Sequence, residues 1–298
     1  MDSFILNPGA PYDIRLHFEN YTSRGPQPYR YEGGAWWQAL RLGNGKLVPV
    51  EVISSGIADE PLLKVNIFSD TSKEENDDVL NQIKRIFNTD YDLKPLYEFM
   101  EKDPILGRIK NDHYGLIPSV SPSVYEAVIS VIVQQQISLK VAWHMISLLV
   151  KKFGDCIDVD GREFWAFPTP SRLADAEISE LRGCKLSGRK AQYIKGFSEA
   201  VASGVFNPEL LRDLPHQEIT ERLMRFRGLG RWTSEMVIIT SIGLDGVNPA
   251  GDLGVRKAIS HFYNNGELLS EGEVRSLTDK WGRWKGIITY YCIVDALH

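Results

Sequence analysis

The residue with the clearest chemical potential is an aspartate, Asp252, within residues 247–258. Apolar residues recur at helical spacing directly after it, so Asp252 stands where a helix begins. An aspartate at this point commonly caps the helix by accepting backbone N–H bonds, and capping alone would explain it. A capped carboxylate is also ionised and rigidly aimed, which suits a group that faces developing positive charge. The two roles are compatible, and other residues must decide whether catalysis is one of them.

A glycine turn, Gly228-Leu229-Gly230, precedes Asp252 by 22 positions and joins two helical patterns. Glycines let a backbone approach a phosphate closely, and the N–H groups that open the second helix form a small anion site. Standing alone, the tripeptide would more simply be an ordinary turn between helices. It is surrounded by a basic cluster, however, and we interpret it as a helix-hairpin-helix motif that binds phosphate. The cluster consists of Arg222, Arg225, Arg227 and Arg231.

Four ordered motifs together carry a family resemblance. They are residues 127–138 (AVISVIVQQQIS), 186–194 (LSGRKAQYI), 228–233 (GLGRWT) and 249–258 (PAGDLGVRKA). In this order and spacing they resemble the helix-hairpin-helix DNA glycosylases, most closely the DNA-3-methyladenine glycosylase II type. The resemblance covers about residues 90–298, and the region before it is similar to the longer members in pattern only.

The resemblance implies a catalytic role for Asp252. A damaged nucleotide would be flipped out of the duplex, because the glycosidic bond cannot be reached within the stack. The bond would then break through an oxocarbenium-like sugar that the carboxylate stabilises, or it would be attacked by a water that the carboxylate orients. We therefore expect a base-excision enzyme acting chiefly on alkylated purines, with 3-methyladenine first among them.

Trp232 bears on the reaction class. Bifunctional members of the family carry a lysine at this position, two residues after the second hairpin glycine, and use it as a Schiff-base nucleophile. The tryptophan predicts a monofunctional enzyme. Its indole also suits the stacking of a cationic alkylpurine, so we place Trp232 in the base pocket; a plain core position is the alternative.

The expected DNA contacts follow from the same motifs. Gln136 falls where the family carries a wedge that fills the gap left by the flipped base, and a polar wedge resembles the 8-oxoguanine enzymes more than the alkylation enzymes. Because of this departure, the sequence leaves open which type of damaged base is the substrate. A polar helix end is the simpler alternative. The predicted DNA-binding residues are Gln135, Gln136, Lys190, Gly228, Leu229, Gly230, Arg231 and Thr233.

Cofactors are expected to play no part in the reaction. The three cysteines, Cys156, Cys184 and Cys292, are far apart, so we expect buried thiols and neither a disulfide framework nor an iron-sulfur or zinc site. By resemblance, the backbone carbonyls of Met224, Phe226 and Leu229 are candidates to bind a structural Na⁺ or K⁺ at the hairpin.

The elements that position these residues form an α+β chain. Alternation at residues 12–18 predicts a strand, residues 37–52 a hairpin turning at residues 43–46, residues 61–68 a strand, and residues 78–87 a helix. We expect an antiparallel sheet domain with a helix at residues 1–90 and an all-helical domain at 91–298. Predicted helices include residues 93–100, 123–136, 138–153, 172–181, 188–202, 217–225, 232–242, 252–262 and 284–297.

Charge gives one argument against DNA. The net charge is −5, whereas nucleic-acid-binding domains are usually basic. Acidic residues concentrate in the first third, however, and the motifs are locally basic. We expect double-stranded DNA with damaged bases as the partner, a monomer, no membrane contact, and a place inside the cell in the cytoplasm, nucleoid or nucleus.

Three rival functions remain open. A bifunctional 8-oxoguanine glycosylase and lyase would share the fold and Asp252, but Trp232 argues against it. A noncatalytic DNA-binding protein would keep the hairpin, but it would not need an acid at the position of Asp252. A protein-interaction scaffold would follow from the net acidity alone.

Overall fold

The beginning of the chain forms a five-stranded antiparallel sheet in the order β1-β5-β4-β3-β2. The computed structural model describes residues 2–21 and 27–296. The predicted hairpin is confirmed, with Trp36 opposite Val52 and a tight turn closed by a bond from Leu42 N–H to the Lys46 carbonyl. The strands are β1 (Asp2–Leu6), β2 (Arg30–Glu32), β3 (Ala35–Arg41), β4 (Leu47–Ile57) and β5 (Glu60–Ile67).

Helices dominate the rest of the chain. The first group is α1 (Arg15–Tyr21), α2 (Lys73–Ile86), α3 (Lys94–Met100), α4 (Pro104–Asp112), α5 (Val124–Gln134), α6 (Leu139–Phe153) and α7 (Pro170–Asp175). The second group is α8 (Ile178–Gly183), α9 (Gly188–Ala202), α10 (His216–Leu223), α11 (Arg231–Ser241), α12 (Leu253–Tyr263), α13 (Glu271–Asp279) and α14 (Lys285–Ala296). Single 3₁₀ segments cover Pro208–Asp213 and Gly282–Trp284. In the described part of the chain, no helix is long and apolar enough to cross a bilayer.

Local capping chemistry sets where many helices begin. Ser72 accepts a bond from the Glu75 N–H while the Glu75 carboxylate accepts one from the Ser72 N–H, which forms a capping box at the start of α2. Ser123, Ser138 and Ser187 cap α5, α6 and α9 through their hydroxyls. Each cap satisfies an N–H group that the helix itself leaves unpaired.

Buried apolar side chains form two large cores. The first core joins the sheet and α1–α4 to the C-terminal helices α12–α14, so the end of the chain packs beside its beginning. The second core is formed by α5–α11. The boundary between residues 90 and 91 remains a prediction, since the first core draws helices from both sides of it.

A small β-hairpin within the helical part connects the two cores, and the sequence analysis did not predict it. Strands β6 (Asp155–Val159) and β7 (Arg162–Ala166) follow α6 and pack on the sheet. The Arg162 guanidinium lies 3.8 Å from the centre of the Trp37 ring and pairs with Glu51. Arg41 pairs with Asp155. The second part of the chain is therefore mainly helical, with this one addition.

Two predictions of local structure were wrong. Residues 12–18 were expected to form a strand, but α1 forms because Asp13 caps the Arg15 N–H, and the buried Ile14 and Phe18, four residues apart, share one helix face. Residues 172–181 were expected to form one helix, but they contribute to α7 and α8. Glu177, in an extended conformation, starts the second helix with its own capping box.

The cysteines follow the prediction only in part. Cys184 and Cys292 are buried, but Cys156 is exposed on β6 because the short hairpin has only one face against the sheet. Leu297, the predicted end of the last helix, lies outside the described residues.

Candidate active site

A cavity of about 380 Å³ lies between the two cores and is called the central cavity below. Elements from both cores line it, including α1, β3, α5, α6, α11 and α14. Asp252 and Trp232 were predicted from two separate motifs. They lie 20 positions apart in the sequence, and both line the central cavity. Its volume falls in the range of small-molecule sites, so it can accept a single flipped base.

Asp252 is held by three hydrogen bonds. Its Oδ1 accepts bonds from the N–H groups of Gly254 (2.8 Å) and Val255 (3.2 Å), as an N-cap of α12. Its Oδ2 accepts a bond from the indole Nε1 of Trp232 at 3.1 Å. The capping and catalytic interpretations therefore coincide in geometry: the helix fixes the carboxylate, and the same carboxylate lines the cavity.

Gly254 leaves room for the Asp252 carboxylate. A Cβ added there would lie 3.0 Å from Asp252 Oδ1, closer than side chains normally approach. A side chain at residue 254 would therefore push against the carboxylate.

Trp232 is half-buried on α11 and joins the two cores through its bond to Asp252. Five further aromatic side chains line the central cavity, and none of them was predicted to do so: His17, Tyr29, Trp36, Trp143 and Tyr290. Of the C-terminal aromatics, Trp281 and Tyr291 are core residues. Trp143 is half-buried on α6, between the buried Ala142 and the exposed His144.

The polar groups of the cavity wall favour a cationic guest. Burial lowers the pKa of His17 to about 3, so its ring is neutral. The ring lies between the Tyr290 hydroxyl (2.7 Å from Nδ1) and the Ser119 hydroxyl (2.8 Å from Nε2). Among the described residues that line the cavity, there is no lysine or arginine. A positively charged base would therefore meet the Asp252 carboxylate without a competing cation.

The predicted turn of the helix-hairpin-helix motif, residues 228–230, connects α10 to α11. Gly228 has a φ of +88°, and a Cβ on it would overlap the Tyr193 ring, so this position requires glycine. Gly230 is the N-cap of α11 and has no side chain to cover the first N–H groups of the helix. An exposed helix start of this kind can bind a phosphate oxygen.

The other predicted hairpin residues differ in exposure. Leu229 and Thr233 are buried, so they support the turn from inside. Arg231 is exposed, and its guanidinium pairs with Glu235 at 3.0 Å. Arg231 is thus the hairpin side chain best placed to meet DNA.

The two glutamines that follow α5, Gln135 and Gln136, have different surroundings. Gln135 Nε2 donates to the Gly228 carbonyl (2.8 Å) and to the Thr233 hydroxyl (3.0 Å), which ties α5 to the hairpin. Gln136 is exposed and has a φ of +57°, which turns the chain outward. Lys190 Nζ donates to the Val133 carbonyl at 2.8 Å, and burial lowers the pKa of this amine. Of these three side chains, only that of Gln136 makes no hydrogen bond to the described residues.

Metal ligands of the usual side-chain types are not clustered anywhere in the described residues. The carbonyls of Met224, Phe226 and Leu229 lie in the loop between α10 and α11. The Phe226 carbonyl accepts a bond from the Leu229 N–H at 3.1 Å.

Known proteins resemble this chain in sequence or in structure. A structure described as 3-methyladenine DNA glycosylase from Archaeoglobus fulgidus is 30% identical, with a TM-score of 0.87, over 98% of each chain. The DNA-3-methyladenine glycosylase of Bacillus subtilis is 27% identical over 267 residues, which cover 88% of this chain and 86% of that one. An 8-oxoguanine glycosylase/lyase of Clostridium acetobutylicum is 20% identical with a TM-score of 0.75, over 99% of this chain and 95% of that one, and shares the fold.

The family model for the HhH-GPD superfamily base excision DNA repair proteins matches residues 129–283. This match runs from the second half of α5 through α13 and includes the hairpin and Asp252. Because it covers more than half of the chain, the protein belongs to the HhH-GPD superfamily of base excision DNA repair proteins.

Proposed function

We propose that this protein is a monofunctional DNA glycosylase that excises alkylated purines, chiefly 3-methyladenine, and leaves an abasic site. The observation that carries the proposal is the pairing of Asp252 with Trp232 at the wall of a base-sized cavity between the cores. The names of the Bacillus subtilis and Archaeoglobus fulgidus relatives support the same lesion.

The carboxylate supplies the chemistry. As the N-glycosidic bond breaks, its electron pair leaves with the base, and positive charge develops on the sugar. Asp252 stabilises this charge until water adds to C1′. A base that is already cationic leaves as a neutral molecule, so it needs little help from an acid. This explains why a site with one fixed carboxylate suits alkylpurines.

Trp232 supports base binding and argues against a lyase. An indole face attracts a cationic base by about 0.5–2 kcal/mol. Trp232 occupies the position at which bifunctional relatives carry their nucleophilic lysine. The described residues of the cavity wall include no lysine that could replace it. The sugar therefore meets water and not an amine nucleophile.

Double-stranded DNA is the proposed partner, bound by a monomer. The N–H groups that open α11 and the Arg231 side chain would hold the backbone beside the flipped nucleotide, while Gln136 would enter the gap in the duplex. A relative from Schizosaccharomyces pombe, described as in complex with abasic DNA, supports DNA as the partner.

A structural Na⁺ or K⁺ is proposed at the hairpin. The fit is reasonable, because the carbonyls of Met224 and Leu229 accept no hydrogen bond from the described residues, and the Phe226 carbonyl retains a second lone pair. Such a cation would stiffen the loop and add positive charge near phosphate.

The experiment is base release from duplexes that each carry one alkylated, deaminated or oxidised base, analysed with and without hot alkali. We expect release of the alkylated base and strand cleavage only after alkali. Strand cleavage without alkali, together with a covalent complex trapped by borohydride, would show a lyase and contradict the proposal.

A further inference from the structure

Gln38 on β3 lines the central cavity, and its amide oxygen accepts no hydrogen bond from the described residues. Its side chain is 2% exposed. A buried acceptor without a donor is unfavourable, so in a native protein it calls for an explanation such as a ligand. Because Gln38 belongs to the cavity wall, a bound base can supply that donor.

A second glutamine shows that the fold can satisfy a buried amide in this region. Gln82 on α2 is also buried, yet its Nε2 donates to the Arg41 carbonyl (3.2 Å) and to Asp78 Oδ1 (3.0 Å). Gln82 does not line the central cavity. The unpaired amide is thus the one that faces the space where a base would lie.

Glu126 on α5 provides a second polar group in the same wall. Gln38 and Glu126 both line the central cavity and also a neighbouring cavity of about 520 Å³, so they lie on the partition between the two. The Glu126 carboxyl has no hydrogen-bond partner among the described residues. Burial, together with the negative charge of Glu209, raises the pKa of Glu126 to about 8, although Arg41 opposes the shift. Near neutral pH, this carboxyl can therefore donate a hydrogen bond.

An acceptor beside a donor matches one purine edge in particular. In a 6-aminopurine, the exocyclic N–H can donate to Gln38 Oε1, while the neighbouring ring nitrogen, N1 or N7, can accept from Glu126. Alkylation at N3 leaves both groups free. A 6-oxopurine places an acceptor, O6, where Gln38 needs a donor.

We propose that Gln38 and Glu126 are specificity-determining residues that hydrogen-bond the amino-bearing edge of a flipped 6-aminopurine and so favour 3-methyladenine over alkylated guanines. This inference rests on the proposed function, and it names the feature of the lesion that the site selects.

The first experiment measures 3-methyladenine and 7-methylguanine released from the same methylated DNA by the full chain and by Gln38→Met. We expect the ratio of 3-methyladenine to 7-methylguanine release rates to fall about tenfold, as for loss of one hydrogen bond to a charged partner. The thermal midpoint should not fall, since the substitution removes an unpaired polar group. An unchanged ratio would overturn the inference.

Three further variants separate selection from packing. Gln82→Met makes the same change at a paired amide, so it should lower the thermal midpoint and leave the ratio as in the unmodified protein. Glu126→Gln retains a hydrogen-bond donor, so its ratio of 3-methyladenine to 7-methylguanine release should stay close to that of the unmodified protein. Glu126→Leu has no donor, so its ratio should fall. Equal losses of both released bases in all four variants would mean a structural role and would contradict the inference.

A measurement on the unmodified protein avoids any folding defect. Free 3-methyladenine should inhibit base release about tenfold more strongly than free 3-methylhypoxanthine, which replaces the 6-amino group by an oxo group. Equal inhibition would contradict the readout by Gln38 and Glu126 while leaving the glycosylase intact. Release of neither alkylpurine would defeat the proposed function itself, and this inference with it.

Discussion

The two cores contribute to the site in different ways. The first core brings together the beginning and the end of the chain and supplies Asp252, Gln38 and His17. The second core is built from consecutive helices and supplies the hairpin and Trp232. The bond between Trp232 and Asp252 crosses from one to the other. The proposed chemistry is therefore assembled at the junction, and the predicted DNA contacts belong mainly to the second core.

The largest expected effect is a difference in stability between variants of the two hairpin glycines, Gly228 and Gly230, in the second core. Gly228→Ala forces a side chain into a left-handed backbone and into the Tyr193 ring, so the free energy of unfolding should fall by about 2–4 kcal/mol. A Cβ added at Gly230 has no atom within 4 Å, so Gly230→Ala should change the free energy of unfolding by less than about 0.5 kcal/mol. Denaturant titration measures both values. Equal destabilisation would show that the hairpin packing does not depend on Gly228 as described.

The next effect concerns the first core and its pH dependence. The folded protein holds His17 neutral with a pKa of about 3, whereas the unfolded chain takes up a proton near pH 6.5. This contribution to stability is complete above pH 6.5 and is lost as the pH falls, by up to about 1.4 kcal/mol per pH unit. Thermal melts from pH 7 to 5 should show the loss, and His17→Gln should reduce its slope.

The exposed His261 provides the matched control for this slope. His261→Gln should leave the pH dependence of the thermal midpoint as in the unmodified protein. A slope that is the same in all three proteins would mean that His17 does not titrate as proposed.

A smaller effect tests the junction directly. Trp232→Phe keeps an aromatic ring but removes the N–H that holds Asp252, so the single-turnover rate should fall about tenfold. Trp284→Phe makes the same change outside the central cavity and should keep the rate. A Trp232→Phe enzyme with full rate would indicate that the carboxylate is held well enough by α12 alone.

The smallest effect concerns the DNA surface of the second core. Arg231→Ala should weaken binding to all duplexes alike and lower the slope of log affinity against log salt by about 1. Arg108→Ala, on the first core and paired with Asp295, should leave the salt slope unchanged. Titrations by fluorescence anisotropy at several salt concentrations measure this. A change that depends on the lesion would show that Arg231 contacts the base and not the phosphate.

Local motifs explain why the hairpin and Asp252 could be predicted from the sequence. Glycine turns, N-caps and helical periodicity depend on neighbouring residues, and α3, α5, α6, α9, α11 and α12 lie close to their predicted bounds. The cap at Asp252 needs only the N–H groups of Gly254 and Val255, which lie within three residues of it.

The rest of the site depends on contacts between distant parts of the chain. Gln38, Glu126, Trp143 and Tyr290 reach one cavity only after the C-terminal helices pack beside the sheet. No local pattern marks such positions. The β6–β7 hairpin was missed for a related reason, since its short strands are fixed by Arg162 and Asp155 pairing with the sheet.

The most direct measurement compares two aspartates that both cap a helix. Asp103 accepts bonds from the N–H groups of Ile105 and Leu106 at the start of α4, as Asp252 does at the start of α12. Asparagine caps helices about as well as aspartate, so Asp103→Asn and Asp252→Asn should both remain folded and bind DNA.

Release of 3-methyladenine is then measured under single-turnover conditions for both variants. Asp252→Asn should lose about two to three decades in rate, while Asp103→Asn keeps it. If Asp252→Asn releases the base as fast as the unmodified protein, Asp252 is a cap only and the catalytic role assigned to it is wrong.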